Sequence, residues 1–158
     1  MIHDKNYLSR VEDIEYFSDT IKALQIFQQL GFDLFVVTNQ SGVGRGYFSL
    51  ESVYVIHRQL QNDLRESSLE PFKDFAICPH SPDEKCECRK PSGQMIQDLI
   101  KKHHIDPKKS YMLGDKLIDA ESGQKAGVNG ILVRHEHKSD FPFYKTLLDF
   151  ANHLKSSP

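Results

Sequence analysis

The sequence lacks the long hydrophobic segments that membrane insertion or export would require. Its apolar runs, such as residues 34–37, are far shorter than the roughly 20 residues that cross a bilayer. Residues 1–5 carry no apolar signal-peptide core. We therefore expect residues 1–158 to fold as one domain with its own core and no membrane contact.

A surplus of either charge is also missing. The chain has 20 Lys and Arg residues against 22 Asp and Glu residues, a formal net charge of −2. Without a basic surplus, the sequence gives no reason to expect nucleic acid or an anionic membrane as a partner. Charged residues make up 27% of the chain and hydrophobic residues 39%, which is typical of a globular domain rather than a disordered one.

Cysteine is scarce and confined to one segment. The chain has three cysteines, Cys78, Cys86 and Cys88. An odd number of cysteines, in a chain without an export signal, argues against a disulfide framework and predicts a reducing compartment. We therefore expect a cytoplasmic protein.

Strand and helix signals alternate along the chain. Continuous apolar stretches predict buried strands at residues 34–38, 75–78, 110–113 and 130–133. Stretches with helical spacing of apolar residues separate these strands. This order predicts an α/β fold, a three-layer Rossmann-like parallel sheet with helices on both faces. In such sheets the functional residues follow the carboxyl ends of the strands.

Capping residues predict where the first helices begin and end. Ser18 and Asp19 are expected to cap the first helix, which Gly31 ends, and Ser49 is expected to cap the second. Residues 39–46 lie between the first strand and the second helix and are polar and rich in glycine. We expect these residues to form a loop.

The cysteines and one histidine form the most specific motif of the chain. Cys78 and His80 are followed, after a gap of five residues, by Cys86 and Cys88. Three thiolates and an imidazole suit tetrahedral Zn²⁺, and four protein ligands leave no open position for water. The motif therefore predicts a structural zinc site that holds a small loop. The alternative, a chance group of loop cysteines, is less favoured because the motif uses every cysteine of the chain.

Polar residues follow the first two predicted strands. Thr38 and Asn39 end the first strand, where a hydroxyl and free backbone N–H groups can hold a phosphate. Arg89 and Lys90 follow the cysteine-rich loop, where they could neutralise and clamp a phosphate. Taken singly, the first pair also fits an ordinary turn and the second a solvated basic pair.

Two carboxylates follow the third predicted strand. Asp115 comes directly after that strand and Asp119 lies four residues later, at the start of a helix. Carboxylate oxygens at a strand end are the ligands that Mg²⁺ prefers. The alternative for Asp115 alone is that it caps the following helix.

The order of these features resembles motifs two, three and four of the haloacid-dehalogenase-like hydrolases. The segments that carry the resemblance are residues 36–42, 78–80, 86–91 and 114–116. The zinc-ligand spacing followed by Arg-Lys-Pro is similar to the zinc-loop branch of that family. That branch contains phosphatases for D-glycero-D-manno-heptose 1,7-bisphosphate and for histidinol phosphate. The resemblance covers nearly the whole chain.

The resemblance implies a phosphomonoester hydrolase that works through an aspartyl-phosphate intermediate. It implies that Thr38 donates its hydroxyl to the phosphoryl group beside the backbone of Asn39. Lys90 would offset the negative charge of the phosphate, and Asp115 would bind the catalytic Mg²⁺. Asp119 would orient Lys90 or assist the metal.

Three further basic residues are implied as substrate contacts, namely Arg45, Arg89 and Lys116. The implied partner is a small phosphorylated metabolite, and the implied cofactors are catalytic Mg²⁺ and structural Zn²⁺. Family members of this size also imply a monomer.

One motif of the family is missing. The first motif is an apolar strand followed by Asp-x-Asp, whose first Asp is the nucleophile and a metal ligand, and no Asp-x-Asp occurs in the 158 residues. Residues 2–7 resemble the segment that follows this motif. We therefore expect a chain that begins about one strand late, a sheet without its first, central strand, and little or no phosphatase activity from this chain alone.

The sequence leaves three functions open. The glycine-rich segment around Arg45 favours heptose bisphosphate as substrate, because an arginine there could meet a second phosphate. The short gap between His80 and Cys86 resembles the histidinol-phosphate branch more closely. The missing nucleophile alone supports the third reading, a non-catalytic binding protein stabilised by zinc. We favour the heptose bisphosphatase.

Overall fold

The computed structural model describes residues 1–3, 5, 7–135 and 138–156. Of the segment at residues 2–7 that carries part of the resemblance, Asp4 and Asn6 lie outside the described residues. The helices and strands are α1 (Thr20–Gln29), β1 (Phe35–Asn39), α2 (Ser41–Gly44), α3 (Leu50–Glu66), β2 (Asp74–Cys78), α4 (Gln94–His103), β3 (Tyr111–Gly114), α5 (Leu117–Ala126), β4 (Asn129–Val133), β5 (Phe143–Tyr144) and α6 (Leu147–Ser156).

The strands pair in parallel and form two groups. In the first group β1 pairs with β2, with Phe35 opposite Asp74 and Asn39 opposite Cys78. In the second group β4 lies between β3 and β5. The parallel α/β fold is therefore confirmed, and the four predicted strands correspond to β1 to β4. The short edge strand β5 was not predicted, because a strand of two residues is too short to show a repeating pattern of apolar residues.

The two groups of strands run in the same direction and flank a cavity. Near their amino ends, the rings of Phe32 and Tyr111 lie 5.9 Å apart. At their carboxyl ends, Lys90 contacts both the carbonyl of Val37 and the carboxylate of Asp119. Between β1 and β3 the described residues form no strand, and a cavity of about 1010 Å³ lies there. This matches the expectation of a sheet without its central strand.

Helices cover both faces of the strands. On one face, the core joins buried apolar residues of α1, α3 and α6, such as Phe27, Leu60 and Phe150, to Ile131 and Val133 of β4. On the other face, α4 packs against α5 and β2, and α5 packs against β3 and β4. None of the described helices is long and apolar enough to cross a bilayer.

Two of the predicted helix boundaries hold. The Ser49 side chain accepts a hydrogen bond from the backbone N–H of Ser52, which is the geometry of a helix amino-terminal cap. Gly31 follows α1 with a φ of 83°, a conformation that glycine adopts without the steric cost of a Cβ atom.

Two local expectations were wrong. The Asp19 side chain does not cap α1, because its carboxylate binds Arg134 and the backbone N–H of Leu148 instead. The segment at residues 39–46 is not wholly a loop, because Ser41–Gly44 forms one helical turn. A contact with a distant part of the chain decides the first outcome, and the helical turn in the second is too short for its period to be recognised in the sequence.

Replacing His57 by glutamine should reduce the pH dependence of stability. His57 lies in α3 with 8% of its surface exposed, and its ring stacks on that of Phe75 at 4.1 Å. Burial lowers its pKa from 6.5 to about 4, so below pH 6.5 the unfolded chain binds a proton that the folded protein excludes. As the pH falls from about 7.5 to about 5, the free energy of unfolding should fall by about 2 kcal/mol more in the original chain than in the variant.

Urea denaturation at both pH values measures this difference. His104 is exposed, so His104→Gln serves as the matched control and should keep the pH dependence of the original chain. A His57→Gln variant with the same pH dependence as the original chain would contradict the prediction.

Candidate active site

Lys90 joins the carboxyl ends of β1 and β3. Its Nζ donates to the carbonyl of Val37 at 2.8 Å and lies 2.7 Å from Oδ1 of Asp119. Both side chains are largely buried, with 10% of the Lys90 side chain and 8% of the Asp119 side chain exposed. The pair therefore lies in a low-dielectric region where each charge depends on the other.

Asn39 fixes the backbone of Lys90. Its side-chain amide donates to the carbonyl of Lys90 at 3.2 Å and accepts from the N–H of Lys90 at 3.0 Å. The preceding residue, Thr38, accepts a hydrogen bond from the Gln40 side chain at 3.1 Å through its hydroxyl oxygen. The end of β1 thus carries a threonine hydroxyl, and the next residue, Asn39, holds the backbone of Lys90 by two hydrogen bonds. Sequence reasoning gave Asn39 a backbone role and missed this side-chain role.

The two predicted carboxylates occupy different environments. Asp115 follows β3 and is exposed, and its carbonyl lies 2.9 Å from Nδ1 of His135. Asp119 is buried, and its Oδ2 accepts the N–H of Lys116 at 3.1 Å, which caps α5. Asp119 rather than Asp115 therefore caps the helix, and it also orients Lys90.

The three basic residues expected to contact substrate lie around this edge of the sheet. Arg45 is exposed at the end of α2, and Lys116 is exposed at the start of α5. Arg89 is half-buried, and its Nη1 donates to the carbonyl of His80 at 3.2 Å. The Arg89 side chain is therefore tied to the cysteine-rich loop.

The four predicted zinc ligands come together after β2. The ligand atoms of Cys78, His80, Cys86 and Cys88 all lie within 4.8 Å of one another. Tetrahedral Zn²⁺ with bonds of about 2.3 Å to sulfur separates two sulfur ligands by about 3.8 Å. The Sγ atoms of Cys78 and Cys86 are 3.7 Å apart, and Nδ1 of His80 is 3.6 Å from Sγ of Cys78 and 3.3 Å from Sγ of Cys88. These three distances are close to those around one tetrahedral ion, but Sγ of Cys88 lies only 2.8 Å from Sγ of Cys78, so a bound ion would have to move these two sulfur atoms apart. All three cysteines are free of disulfides.

The surroundings of the Cys/His cluster raise the pKa of two of its thiols. Burial and the neighbouring sulfur atoms raise the pKa of Cys88 to about 12, and burial also raises the pKa of Cys78. Both thiols are therefore protonated at neutral pH when no cation is bound. A bound cation would displace these protons, because a thiol that ligates a metal is deprotonated.

The cysteine-rich loop packs closely on α2. The N–H of Gly44 donates to the carbonyl of Pro79 at 2.8 Å, and a Cβ atom on Gly44 would overlap the carboxylate of Glu84 and the backbone of Ser81. The same Glu84 carboxylate accepts the N–H of Ser81 at 2.5 Å. Glycine is therefore required at position 44, and the cysteine-rich loop and the segment after β1 hold each other in place.

One ion pair at the carboxyl edge of the sheet was not predicted from the sequence. Arg134 follows β4, pairs with Asp19, and lies over the ring of Phe17 at 3.9 Å from its centroid. Asp19 and Arg134 are 115 residues apart in the chain. Only the fold brings them together.

The described residues do not complete a magnesium site. Within the part of the chain that the structure describes, the Cys/His cluster is the one group of three or more His, Cys, Asp or Glu side chains close enough to share an ion. At the end of β3, Asp115 offers one exposed carboxylate, while the carboxylate of Asp119 is taken by Lys90 and the N–H of Lys116. A single exposed carboxylate makes a poor Mg²⁺ site, because the ion would keep most of its water ligands.

Comparison with known proteins identifies the family. Residues 87–142 match a family model described as HAD-hydrolase-like. The D-glycero-alpha-D-manno-heptose-1,7-bisphosphate 7-phosphatase of Photorhabdus laumondii is 37% identical over 151 residues, which span 90% of this chain and 82% of the relative. The chain belongs to the HAD-like hydrolases. It is therefore a member of a family of phosphoric monoester hydrolases.

Other relatives agree with this assignment. The D-glycero-beta-D-manno-heptose-1,7-bisphosphate 7-phosphatase of Haemophilus ducreyi is 38% identical over 138 residues, covering 83% of this chain and 76% of the relative. The fold is similar to the crystal structure of D,D-heptose 1,7-bisphosphate phosphatase from B. bronchiseptica complexed with magnesium and phosphate. That similarity has a TM-score of 0.88 at 23% identity and covers 98% of this chain and 92% of the other.

Replacing Asp119 by asparagine should strongly destabilise the fold. The variant would leave the Lys90 ammonium in a mostly buried position without its counter-charge. We expect the free energy of unfolding to fall by about 3 kcal/mol, measured by urea denaturation at neutral pH. Asp98→Asn is the matched control, because Asp98 is exposed on α4, and its effect should stay within about 0.5 kcal/mol. Equal effects of the two substitutions would contradict a stabilising role for the ion pair.

Proposed function

We propose that this protein is a phosphatase that removes the 7-phosphate of D-glycero-D-manno-heptose 1,7-bisphosphate. The observation that carries the proposal is the position of Lys90, held between Val37 and Asp119 at the carboxyl edge of the sheet, where β1 also carries Thr38. A buried cation and a hydroxyl donor at the carboxyl edge of a parallel sheet suit a phosphoryl group. The relatives named above, which carry this activity in their names, support the choice of substrate.

Each residue at the edge would have one task. Thr38 would donate its hydroxyl to a phosphoryl oxygen. Lys90 would stabilise the negative charge that spreads over the phosphoryl oxygens as the bond to the leaving group breaks. Asp119 and Asn39 would position Lys90 without touching the substrate.

The nucleophile lies outside the residues that the structure describes. In this family a carboxylate attacks phosphorus, and water then hydrolyses the aspartyl phosphate. We propose Mg²⁺ as the cofactor, with Asp115 as one of its ligands. The cation, when bound, would neutralise phosphoryl oxygens. Because Asp115 alone does not complete a site, further carboxylate ligands must come from the same source as the nucleophile.

Basic residues at the rim support a bisphosphate substrate. Arg45 lies exposed after α2, on the segment that follows Thr38 and Asn39. A guanidinium there could bind the phosphate at the other end of a sugar bisphosphate, with Arg89 and Lys116 as further cations. Histidinol phosphate has one phosphate and would not use such a contact. It is the second candidate substrate because of the short gap between His80 and Cys86.

The test compares phosphate release from both substrates in Mg²⁺. Two proteins are assayed, the 158-residue chain and the same chain with an apolar strand and Asp-x-Asp joined ahead of Met1. We expect the joined protein to hydrolyse the heptose bisphosphate faster than histidinol phosphate, and the chain alone to be at least about 1,000-fold slower because it lacks the nucleophile.

Two controls accompany this assay. Replacing the first Asp of the joined segment by Asn should abolish turnover, and Lys90→Met should lower it strongly. If the joined protein releases no phosphate from either substrate, the proposed function is wrong. Faster release from histidinol phosphate would instead favour the second candidate.

We also propose that the Cys/His cluster binds one structural Zn²⁺. The convergence of four ligand atoms and the absence of a fifth nearby ligand in the described chain favour a closed tetrahedral site, in which Cys78 and Cys88 would move apart from their 2.8 Å contact. The ion would join the end of β2 to the residues just before Lys90, and so would hold the phosphoryl site from one side.

Zinc content and thermal stability test this proposal. The purified protein should contain about one Zn²⁺ per chain, and Cys88→Ser should lose the zinc and about 10 °C of Tm. His104→Gln, outside the cluster, should keep both. A Cys88→Ser variant that retains zinc and Tm would show that the cluster is not a metal site.

The remaining assignments follow from the same features. We propose that residues 1–158 belong to a single phosphatase domain, because one set of strands and helices carries every candidate residue. Free cysteines fit a reducing compartment, so we propose a cytoplasmic location. We propose a monomer that acts on a small phosphorylated metabolite.

A further inference from the structure

Two sulfur atoms of the Cys/His cluster are closer together than a bound metal ion would hold them. The Sγ atoms of Cys78 and Cys88 are 2.8 Å apart. Two sulfur ligands of one tetrahedral Zn²⁺ lie about 3.8 Å apart, whereas the sulfur atoms of a disulfide are about 2.05 Å apart. The observed separation lies between these two values. The pair is therefore placed for a second chemical state besides metal binding, a covalent S–S bond.

The third cysteine is less well placed for such a bond. Sγ of Cys86 lies 3.7 Å from Sγ of Cys78, which is 0.9 Å longer than the contact between Cys78 and Cys88. The rate of bond formation falls steeply when the reacting atoms are misplaced by about 1 Å. Cys88 is therefore the preferred partner of Cys78, and Cys86 is left as a free thiol.

The two cysteines of the pair differ in their access to solvent. Cys78 has 0% of its surface exposed at the end of β2, whereas Cys88 is only half-buried in the loop before Lys90. A small oxidant from solvent, such as a hydroperoxide, therefore reaches Cys88 first, because exposure governs which thiol is oxidised. The buried Cys78 lies in contact with that sulfur atom and can complete the bond without reaching solvent.

We propose that Cys78 and Cys88 form a reversible disulfide when a hydroperoxide oxidises the metal-free cluster, and that this bond excludes Zn²⁺. In a reducing compartment such a bond is transient, which suits a site that responds to an oxidant rather than a permanent cross-link. This modification goes beyond the proposed phosphatase function and does not require turnover.

The reaction has two steps. Hydrogen peroxide transfers one oxygen atom to the sulfur of Cys88, which becomes a sulfenic acid, and the other oxygen atom leaves as water. The sulfur of Cys78 then attacks the sulfur of Cys88, the S–O bond breaks, and the hydroxyl group leaves with the thiol proton of Cys78 as a second water. The two thiols lose two electrons in all, and the O–O bond of the peroxide accepts them.

The disulfide and a bound ion exclude each other. The bond uses the sulfur atoms of Cys78 and Cys88, and a cysteine ligates a metal only as a thiolate. Cys86 and His80 then remain, and these two ligands fall short of the four of a structural zinc site. A bound ion would in turn hold the two sulfur atoms about 3.8 Å apart and so slow the formation of the bond.

The backbone of the cysteine-rich loop connects the cluster to the candidate active site. The carbonyl of Cys78 accepts the N–H of Gln40 at 2.7 Å, and the carbonyl of Pro79 accepts the N–H of Gly44 at 2.8 Å. Both donors belong to the segment that follows β1. A covalent bond that closes the loop restricts the motions that open these contacts. Hydrogen exchange of the two donor amides therefore reports on the bond without any turnover.

Peptide mapping of the full 158-residue chain tests the proposal. The chain is freed of metal with a chelator, desalted and exposed to hydrogen peroxide. Digestion with trypsin and Glu-C separates the three cysteines, because Lys85 and Glu87 lie between them. We expect mass spectrometry to find a peptide linked through Cys78 and Cys88, with Cys86 free to be alkylated. A dithiol reductant should restore all three thiols.

Zinc binding and amide exchange follow the same oxidation. The oxidised chain should bind less than about a tenth of the Zn²⁺ that the reduced chain binds, and reduction should restore the binding. The amides of Gln40 and Gly44 should exchange more slowly in the oxidised chain than in the reduced, metal-free chain. Zn²⁺ added before the peroxide should slow the formation of the link.

Two cysteine variants form a matched pair. Cys86→Ser keeps both sulfur atoms of the close contact and should form the link at the rate of the original chain. Cys88→Ser leaves only the longer approach of 3.7 Å between Cys78 and Cys86, and should form a link at least about tenfold more slowly. The map of the original chain tests the proposal even if a variant does not fold.

Several results would overturn the proposal. These are a main disulfide that includes Cys86, oxidation to sulfinic acid or to links between chains instead of the expected bond, and an oxidised chain that still binds one Zn²⁺. Equal rates for the two variants, a rate that Zn²⁺ does not lower, or unchanged exchange of the two amides would also contradict it. None of these measurements uses a phosphatase substrate. Their failure therefore leaves the proposed function standing, and failure of the phosphate-release assay leaves the disulfide standing.

Discussion

The ion pair between Lys90 and Asp119 is the contact on which the site depends. Burying two charges costs several kcal/mol per ion unless their partners are well placed, and here the carbonyl of Val37 and the N–H of Lys116 provide further hydrogen bonds. The pair also spans the two groups of strands. It therefore sets the relative position of the ends of β1 and β3, which are not joined by backbone hydrogen bonds.

The Cys/His cluster supports the same lysine from the other side. Cys88 lies two residues before Lys90, and Arg89 between them reaches back to the carbonyl of His80. Asn39 then holds the backbone of Lys90 against the end of β1. A lysine side chain has much rotational freedom, so a precise cation requires these constraints on its backbone. The loop after β2 would thus serve the proposed phosphoryl site by positioning Lys90 rather than by contacting the substrate.

Sequence alone gave the parts of the structure that depend on local patterns. Apolar runs predicted the four main strands, and capping preference predicted the Ser49 cap. The spacing of ligand residues predicted the Cys/His cluster. The rule that functional residues follow strand ends led to Thr38, Lys90 and Asp119, and the structure places Lys90 in contact with Asp119 and with the end of β1, the strand that carries Thr38.

The features that the sequence did not predict depend mainly on contacts between distant residues. Asp19 has the sequence of a helix cap, but Arg134 and the N–H of Leu148 compete for its carboxylate once the chain folds. The side-chain role of Asn39 required knowing that Lys90 would lie beside it, 51 residues away. One turn of helix at Ser41–Gly44 is likewise below the length at which a period can be recognised.

The cavity between β1 and β3 and the candidate active site share residues. Lys90 and Asp119 line the carboxyl end of the cavity that separates β1 from β3. A change in the separation of β1 and β3 would therefore also move the candidate site, because the same lysine contacts both strand ends.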